Sequence, residues 1–144
     1  AVCCAIGVKT PWEQPGLFSK GTERLLQAMK SNAVRRLICV TGIGAGDSRG
    51  HGGFLYDRVF FPLLLKSVYA DKDAQEALIR AADVDWTIVR PGFLTNGPLT
   101  RSYRVLTDLA GVTAGRISRA DVAHFMLEEL VGNMTQQKTP LLTY

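Results

Sequence analysis

The feature that most constrains this chain is the run Asp85-Trp86-Thr87-Ile88-Val89-Arg90-Pro91-Gly92-Phe93-Leu94. Trp86 is aromatic and Thr87, Ile88 and Val89 are β-branched, the residue types that fit a buried pleated strand, and the run is short. Pro91 has no N–H to give a sheet ladder, and Gly92 supplies backbone freedom and close approach. The expectation is a core strand that stops at Pro91 and throws a loop off its carboxyl end. In open α/β sheets, ligands sit at that level.

The rest of the chain reads as elements that lead to the same edge. Ala1 to Ile6 is a continuous apolar run closed by Gly7, as in a parallel strand covered on both faces. Val8 to Gly16 holds two prolines and reads as a loop. A helix is expected within Ser19 to Asn32, burying Leu25, Leu26, Met29 and Ala33. Arg36 to Val40 is the next strand. It breaks into a stretch from Thr41 to Gly53 with six glycines, which reads as a loop. Leu55 to Lys66 reads as helical up to Phe61, with Pro62 opening a new turn. Asp71 is placed to cap a helix over Lys72 to Ala82. Its apolar stripe would be Ala74, Ala77, Leu78 and Ala81, with Glu76 and Arg80 paired outside. After the organising strand, Tyr103 to Thr107 reads as a short strand. Ser118 caps a helix running to about Leu130 that buries Val122, Phe125, Met126 and Leu130. Pro140 to Thr143 offers a last strand. Alternating apolar strands and helices give the fold class: α/β, a parallel sheet with helices on both faces, in a single domain over residues 1–144.

Composition narrows the function. Apolar residues make up 47% and charged residues 21% of the 144 positions, so the chain is globular. The net charge of +4 comes from scattered basic residues, with no basic stripe interleaved with aromatics, so no nucleic-acid partner is expected. The longest apolar candidate, Val59 to Leu65, falls well short of the ~20 residues of a membrane span, and no membrane partner is expected. No secretory leader is visible. Cys3, Cys4 and Cys39 have no metal-ligand spacing with a histidine and read as small buried hydrophobes in a reducing, cytoplasmic setting, with no metal site. His51 reads as a surface histidine in a glycine loop. His124 reads as a packed or half-exposed helical one. Arg101, Arg104, Arg116 and Arg119 read as a solvated rim that could instead face a phosphate.

Several motifs resemble one family. Thr87-Ile88-Val89-Arg90-Pro91-Gly92, Ala28-Met29-Lys30 with Val34-Arg35-Arg36, and Ser118-Arg119-Ala120-Asp121-Val122-Ala123 with Phe125-Met126-Leu127 resemble the atypical short-chain dehydrogenase/reductases. These are NAD(P)-binding Rossmann proteins that include NmrA-like proteins. Gly97-Pro98-Leu99-Thr100, Tyr103 and His124-Phe125-Met126-Leu127 resemble the flavin reductase and biliverdin-IXβ reductase type. The resemblance covers nearly the whole chain and implies NADP or NAD as cofactor.

It also implies what is absent. The family's glycine-rich turn after its first strand holds the pyrophosphate, and no such turn is found here. Gly42, Gly44 and Gly46 are not followed by a clear helix. Ala1 to Gly7 resembles the family's fourth strand, so the chain resembles the carboxyl-terminal half of the domain. The 144 residues alone are then expected to bind NAD(P)H poorly and to self-associate through the Ala1–Ile6 edge.

The family's usual proton donor is a Tyr with a Lys four residues on. Lys72 falls where the resemblance expects that Lys, but Val68 stands four residues earlier and Tyr69 three. Positions that would carry a serine and a histidine in the biliverdin-IXβ reductase type are Gly42 and Phe93. The candidate catalytic residues are Lys72, Thr41 and Tyr69. The candidate cofactor-binding residues are Gly7, Thr41, Gly42, Lys72, Pro91, Gly92, Phe93 and Leu94. Two functions stay open. One is an NAD(P)H-dependent oxidoreductase acting on a small planar acceptor such as a flavin, a quinone or a carbonyl compound. The other is a non-catalytic dinucleotide sensor of the NmrA-like kind, for which the altered Tyr–Lys spacing and the missing Ser and His speak.

Overall fold

A computed structural model describes residues 1–8, 16–48, 50–51 and 66–144. The expected helix from Leu55 and the Pro62 turn fall almost wholly outside the described residues. Three βα units build the molecule. Strand β1 (Val2–Cys4) is followed by helix α1 (Leu17–Ser31), β2 (Arg36–Val40), α2 (Lys66–Ala81) and β3 (Asp85–Pro91). Then come β4 (Phe93–Thr95), β5 (Arg104–Leu106), β6 (Arg116–Ser118), α3 (Arg119–Gly132) and β7 (Leu141–Thr143). One sheet has the order β1-β2-β3-β7-β5, parallel except for β5, and β4 pairs with β6 in a separate parallel ribbon.

The pleat sorts the strand residues onto two faces. Leu37, Cys39, Trp86 and Ile88 pack with Met29 of α1 and Ile79 of α2. Ile38, Val89 and Leu142 pack on the other face with Val122, Phe125 and Met126 of α3. The apolar runs Leu37–Val40 of β2 and Ile88–Val89 of β3 reflect this double cover. No described helix is long and apolar enough to cross a membrane.

Several expectations need correction. Strand β1 lies at the edge of the described sheet, so Cys3, Ala5 and Ile6 are exposed and only Cys4 of the run is buried. Cys3 is therefore not a core residue, unlike Cys4 and Cys39. Helix α2 starts at Lys66, well before Asp71, and shows a different face to the core. Tyr69, Gln75, Glu76 and Ile79 are buried, whereas Ala74, Ala77, Leu78 and Ala81 are exposed. The alanines spelled a helical stripe, but burial followed the larger side chains with partners. Asp71 caps a different helix: its carboxylate accepts the N–H groups of Phe18 and Ser19 in the first turn of α1, at 2.8 and 3.1 Å. Ser118 caps α3 as expected, accepting the Asp121 N–H at 3.0 Å.

The segment after Pro91 is not a simple loop. Pro91 closes β3, and its carbonyl accepts the Ile43 N–H at 3.1 Å. Strand β4 follows at once because Gly92 has no side chain. A Cβ there would stand 2.4 Å from the Gly115 carbonyl oxygen, which instead receives the Phe93 N–H at 2.9 Å and starts the β4–β6 pairing.

Candidate functional site

The parallel register of β2 and β3, with Val40 opposite Val89, brings Thr41-Gly42 and Pro91-Gly92 to one level at the carboxyl edge. Helix α2 runs back across the sheet and carries Tyr69 and Lys72 over that edge. The result is a cleft of about 230 Å³ lined by Thr41, Gly42, Ile43, Tyr69, Lys72, Pro91, Gly92, Phe93 and Leu94. Every candidate site residue from the sequence lines it except Gly7, which is exposed beyond β1. A larger groove of about 560 Å³ lies between α1 and α2 near the amino ends of the strands, lined by residues including Leu26, Met29, Val34, Leu78 and Val84. Its lining also includes Glu23, Gln27, Lys30, Arg35 and Asp83.

Lys72 is half-buried rather than a solvated residue at a helix start. Its Nζ donates to the Thr41 carbonyl and lies 4.9 Å from the Phe18 ring and 5.8 Å from the Tyr69 ring. Burial pulls its pKa down to about 8, against the opposing pull of the Glu76 carboxylate. An atom in a Cβ position on Gly42 would stand 3.4 Å from the Tyr69 hydroxyl and 3.7 Å from Lys72 Nζ. Both polar atoms are thus aimed at the Gly42 backbone, on one helix face, despite the shortened spacing. Phe93 and Leu94 remain 39% and 41% exposed, which leaves an apolar floor open to a planar ligand.

Beneath the cleft lies a buried charge network built on Glu76, which was expected on the outside of α2 with Arg80. Arg90 is fully buried and holds both oxygens of Glu76, with Nε–Oε1 3.0 Å and Nη2–Oε2 2.6 Å. Its Nη1 also donates to Asp47, whose pKa burial would raise but which Arg90 holds below the usual range. Glu76 Oε1 accepts the Thr41 hydroxyl proton at 2.8 Å, and Arg80 reaches Oε2 at 3.4 Å from the partly exposed side. One signal was legible. An arginine inside an otherwise apolar strand needs a carboxylate, but the sequence does not say which.

Two N–H groups of the described part of the glycine stretch are engaged: Gly44 donates to the Ser48 hydroxyl at 2.9 Å and Gly46 to the Asp73 carboxylate at 2.8 Å. His51 is not a free surface residue. Its Nδ1 donates to the Val112 carbonyl at 2.7 Å, and its own carbonyl accepts the Ala114 N–H at 2.7 Å. His124 Nδ1 shares a 2.8 Å hydrogen bond with the Tyr103 hydroxyl. Arg101, Arg104, Arg116 and Arg119 are exposed, Arg104 and Arg119 bonding the Tyr144 carbonyl and Asn96. Asp121 was missed as a hub. It is fully buried and accepts from Thr100, Arg101, Ser118 and Tyr144. Among the described residues no cluster could hold a metal ion.

A family model described as NAD(P)H-binding matches residues 1–132. An uncharacterised chloroplast protein of Arabidopsis thaliana is 30% identical over 137 residues, covering 91% of this chain and 47% of its own. ChuY, an anaerobilin reductase from Escherichia coli O157:H7, superposes with a TM-score of 0.78 at 20% identity, over 98% of this chain and 62% of its own. A short-chain dehydrogenase/reductase of Veillonella parvula, solved in complex with NADP, gives a TM-score of 0.75 at 18% identity, over 88% of this chain and 58% of its own. The chain spans about half the length of the curated relatives it matches, 47% and 51%.

Proposed function

Because this chain belongs to the NAD(P)H-binding family, with the motifs of the atypical short-chain dehydrogenase/reductases, we propose that it forms the nicotinamide end of an NAD(P)H-dependent oxidoreductase. The acceptor would be small and planar: a flavin, a quinone or a similar carbonyl compound. The observation that carries this reading is one cleft at the carboxyl edge lined by Lys72, Tyr69 and Thr41 over the exposed Phe93 and Leu94. When bound, the dinucleotide supplies a hydride. Lys72 would hold the ribose hydroxyls next to it, and its value of about 8 keeps an ammonium near neutral pH. Tyr69 would stand as proton donor toward a carbonyl acceptor. Phe93 and Leu94 would stack on the acceptor and keep water out. Gly7 would meet the adenosine side.

The proposal includes a division of labour. Two of the helix N-termini are already taken, that of α1 by Asp71 and that of α3 by Ser118. The first turns of α1 and α3 are then closed to a pyrophosphate, and the edge of β1 would offer a place for a neighbouring strand or a second copy. NAD(P)H oxidation in the presence of FMN or a quinone tests the function. Turnover that depends on acceptor and falls in Lys72→Ala supports it. Dinucleotide binding without turnover supports the sensor, a reading favoured by the Thr41 proton being held by Glu76 rather than offered to the cleft.

A further inference from the structure

Thr41 has every hydrogen it owns engaged behind the cleft wall. Its N–H donates to the Val89 carbonyl at 2.9 Å and its hydroxyl to Glu76 Oε1 at 2.8 Å, while its carbonyl accepts from Lys72. Glu76 cannot turn away, because Arg90 grips both its oxygens and is itself fully buried. We propose that Glu76 is a positioning residue for the cleft: fixed by Arg90, it holds the Thr41 hydroxyl as a pure acceptor toward any ligand and stands one helical turn from Lys72 as its carboxylate neighbour. A site with an acceptor-only hydroxyl selects a ligand that brings its own N–H. A nicotinamide carboxamide does so, and here the inference rests on the cofactor reading above.

The groups around this unit come from every packed element. Arg90 and Asp47 hold Glu76 from β3 and the loop after β2, and Arg80 reaches it along α2. Lys72 meets the Thr41 carbonyl after β2, the Phe18 ring of α1 and the Tyr69 ring of α2, with Cys39 of β2 nearby. Glu76 stands four residues from Lys72 on α2 and both reach Thr41, so its carboxylate opposes the effect of burial on Lys72 together with Cys39, whose effect is the larger.

The test compares NADP⁺ with its acetylpyridine analogue, which replaces the carboxamide NH₂ by a methyl group. One neutral hydrogen bond predicts about tenfold tighter binding of NADP⁺ by the unaltered chain. That ratio should fall to about one in Thr41→Val. In parallel, isotope-labelled dimethylation lets Lys72 be titrated by NMR without any dinucleotide. Its midpoint should drop in Glu76→Gln and stay unchanged in Thr41→Val. An unchanged ratio in Thr41→Val, which keeps shape and so folds where Glu76→Gln does not, overturns the acceptor role. A Lys72 midpoint indifferent to Glu76→Gln overturns the positioning role. Failure of the unaltered chain to bind either dinucleotide at millimolar concentration overturns the cofactor reading instead, and the Lys72 titration still decides the role of Glu76.

Discussion

Two buried Arg–Glu pairs sit at opposite ends of the same two strands, and they are built differently. At the carboxyl end, Arg90 grips Glu76 with two nitrogens, and both carboxylate oxygens are satisfied, one of them by Thr41 at the cleft. At the amino end, Arg36 reaches Glu129 through one nitrogen at 3.0 Å, and Thr87 and the Thr135 N–H share the same oxygen. There, Glu129 Oε2, Arg36 Nε and Thr135 Oγ1 have no partner among the described residues. The Arg36 pair ties α3 to the sheet and ends in the core. The Arg90 pair is complete, and it hands a hydroxyl and a lysine on to a cleft. A fully satisfied buried network specifies one arrangement, and here that arrangement is the wall of a site.

Removing the charge at each end should break the comparison open. Arg90→Met leaves the 3%-exposed Glu76 without its two-pronged partner, and about 3–5 kcal/mol should be lost in urea unfolding. Arg36→Met takes one of three donors from the buried Glu129 carboxylate and also breaks the Arg36 bonds to the Asp85 carbonyl and the Thr87 hydroxyl, so a loss of about 3–5 kcal/mol is expected there too. A smaller loss at Arg90 than at Arg36 would mean that the two-pronged grip contributes nothing.

Lys72→Ala separates binding from folding. It should raise the NADPH dissociation constant about ten- to a hundredfold, one charge-assisted bond, while unfolding stability changes little. Titration of NADPH fluorescence with both chains reads this directly. Phe93→Ala should be milder still for stability, about 1 kcal/mol, because the ring is 39% exposed. Acceptor turnover should suffer more than the fold does.

The smallest effects are those of pH, which for two groups fall in different windows but share one sign, stability rising with pH through each. Burial alone would raise the Asp121 pKa, but hydrogen bonds from Thr100, Tyr144 and the Arg101 and Thr100 N–H groups hold it far below the ordinary 3.8. Its contribution is present above that value and is lost as pH falls through the depressed one. Lys72 goes from about 8 folded to about 10.5 unfolded, so the unfolded chain binds more protons between those values. Stability should therefore rise from about pH 8 to about pH 10.5, and Lys72→Met should flatten that slope in urea melts.

The sequence made the strands and the cleft level legible because apolar runs and Pro-Gly breaks are local signals. Arg36 to Val40 matched its strand residue for residue, and the pocket residues on both sides of Pro91 came together. The face of α2 was misread because alanine fits either side of a helix. Ala74, Ala77 and Ala81 spelled a stripe, while burial of Glu76 depends on Arg90 fourteen residues away. Asp71 looked like a cap for its own helix and caps α1 instead, a contact across 53 residues that no local pattern encodes. Strands β4 and β6 were invisible because their pairing depends on the Gly92–Gly115 approach.

The central claim is that a nicotinamide dinucleotide meets this chain at the carboxyl edge of β2 and β3. It is tested most directly by adding NADPH to the nitrogen-labelled chain and following backbone amide signals. Shifts are expected at Thr41, Gly42, Gly92 and Phe93, and none at Arg36 or Glu129. Shifts confined to the Leu26, Val34 and Val84 groove, or none anywhere at millimolar NADPH, would contradict it.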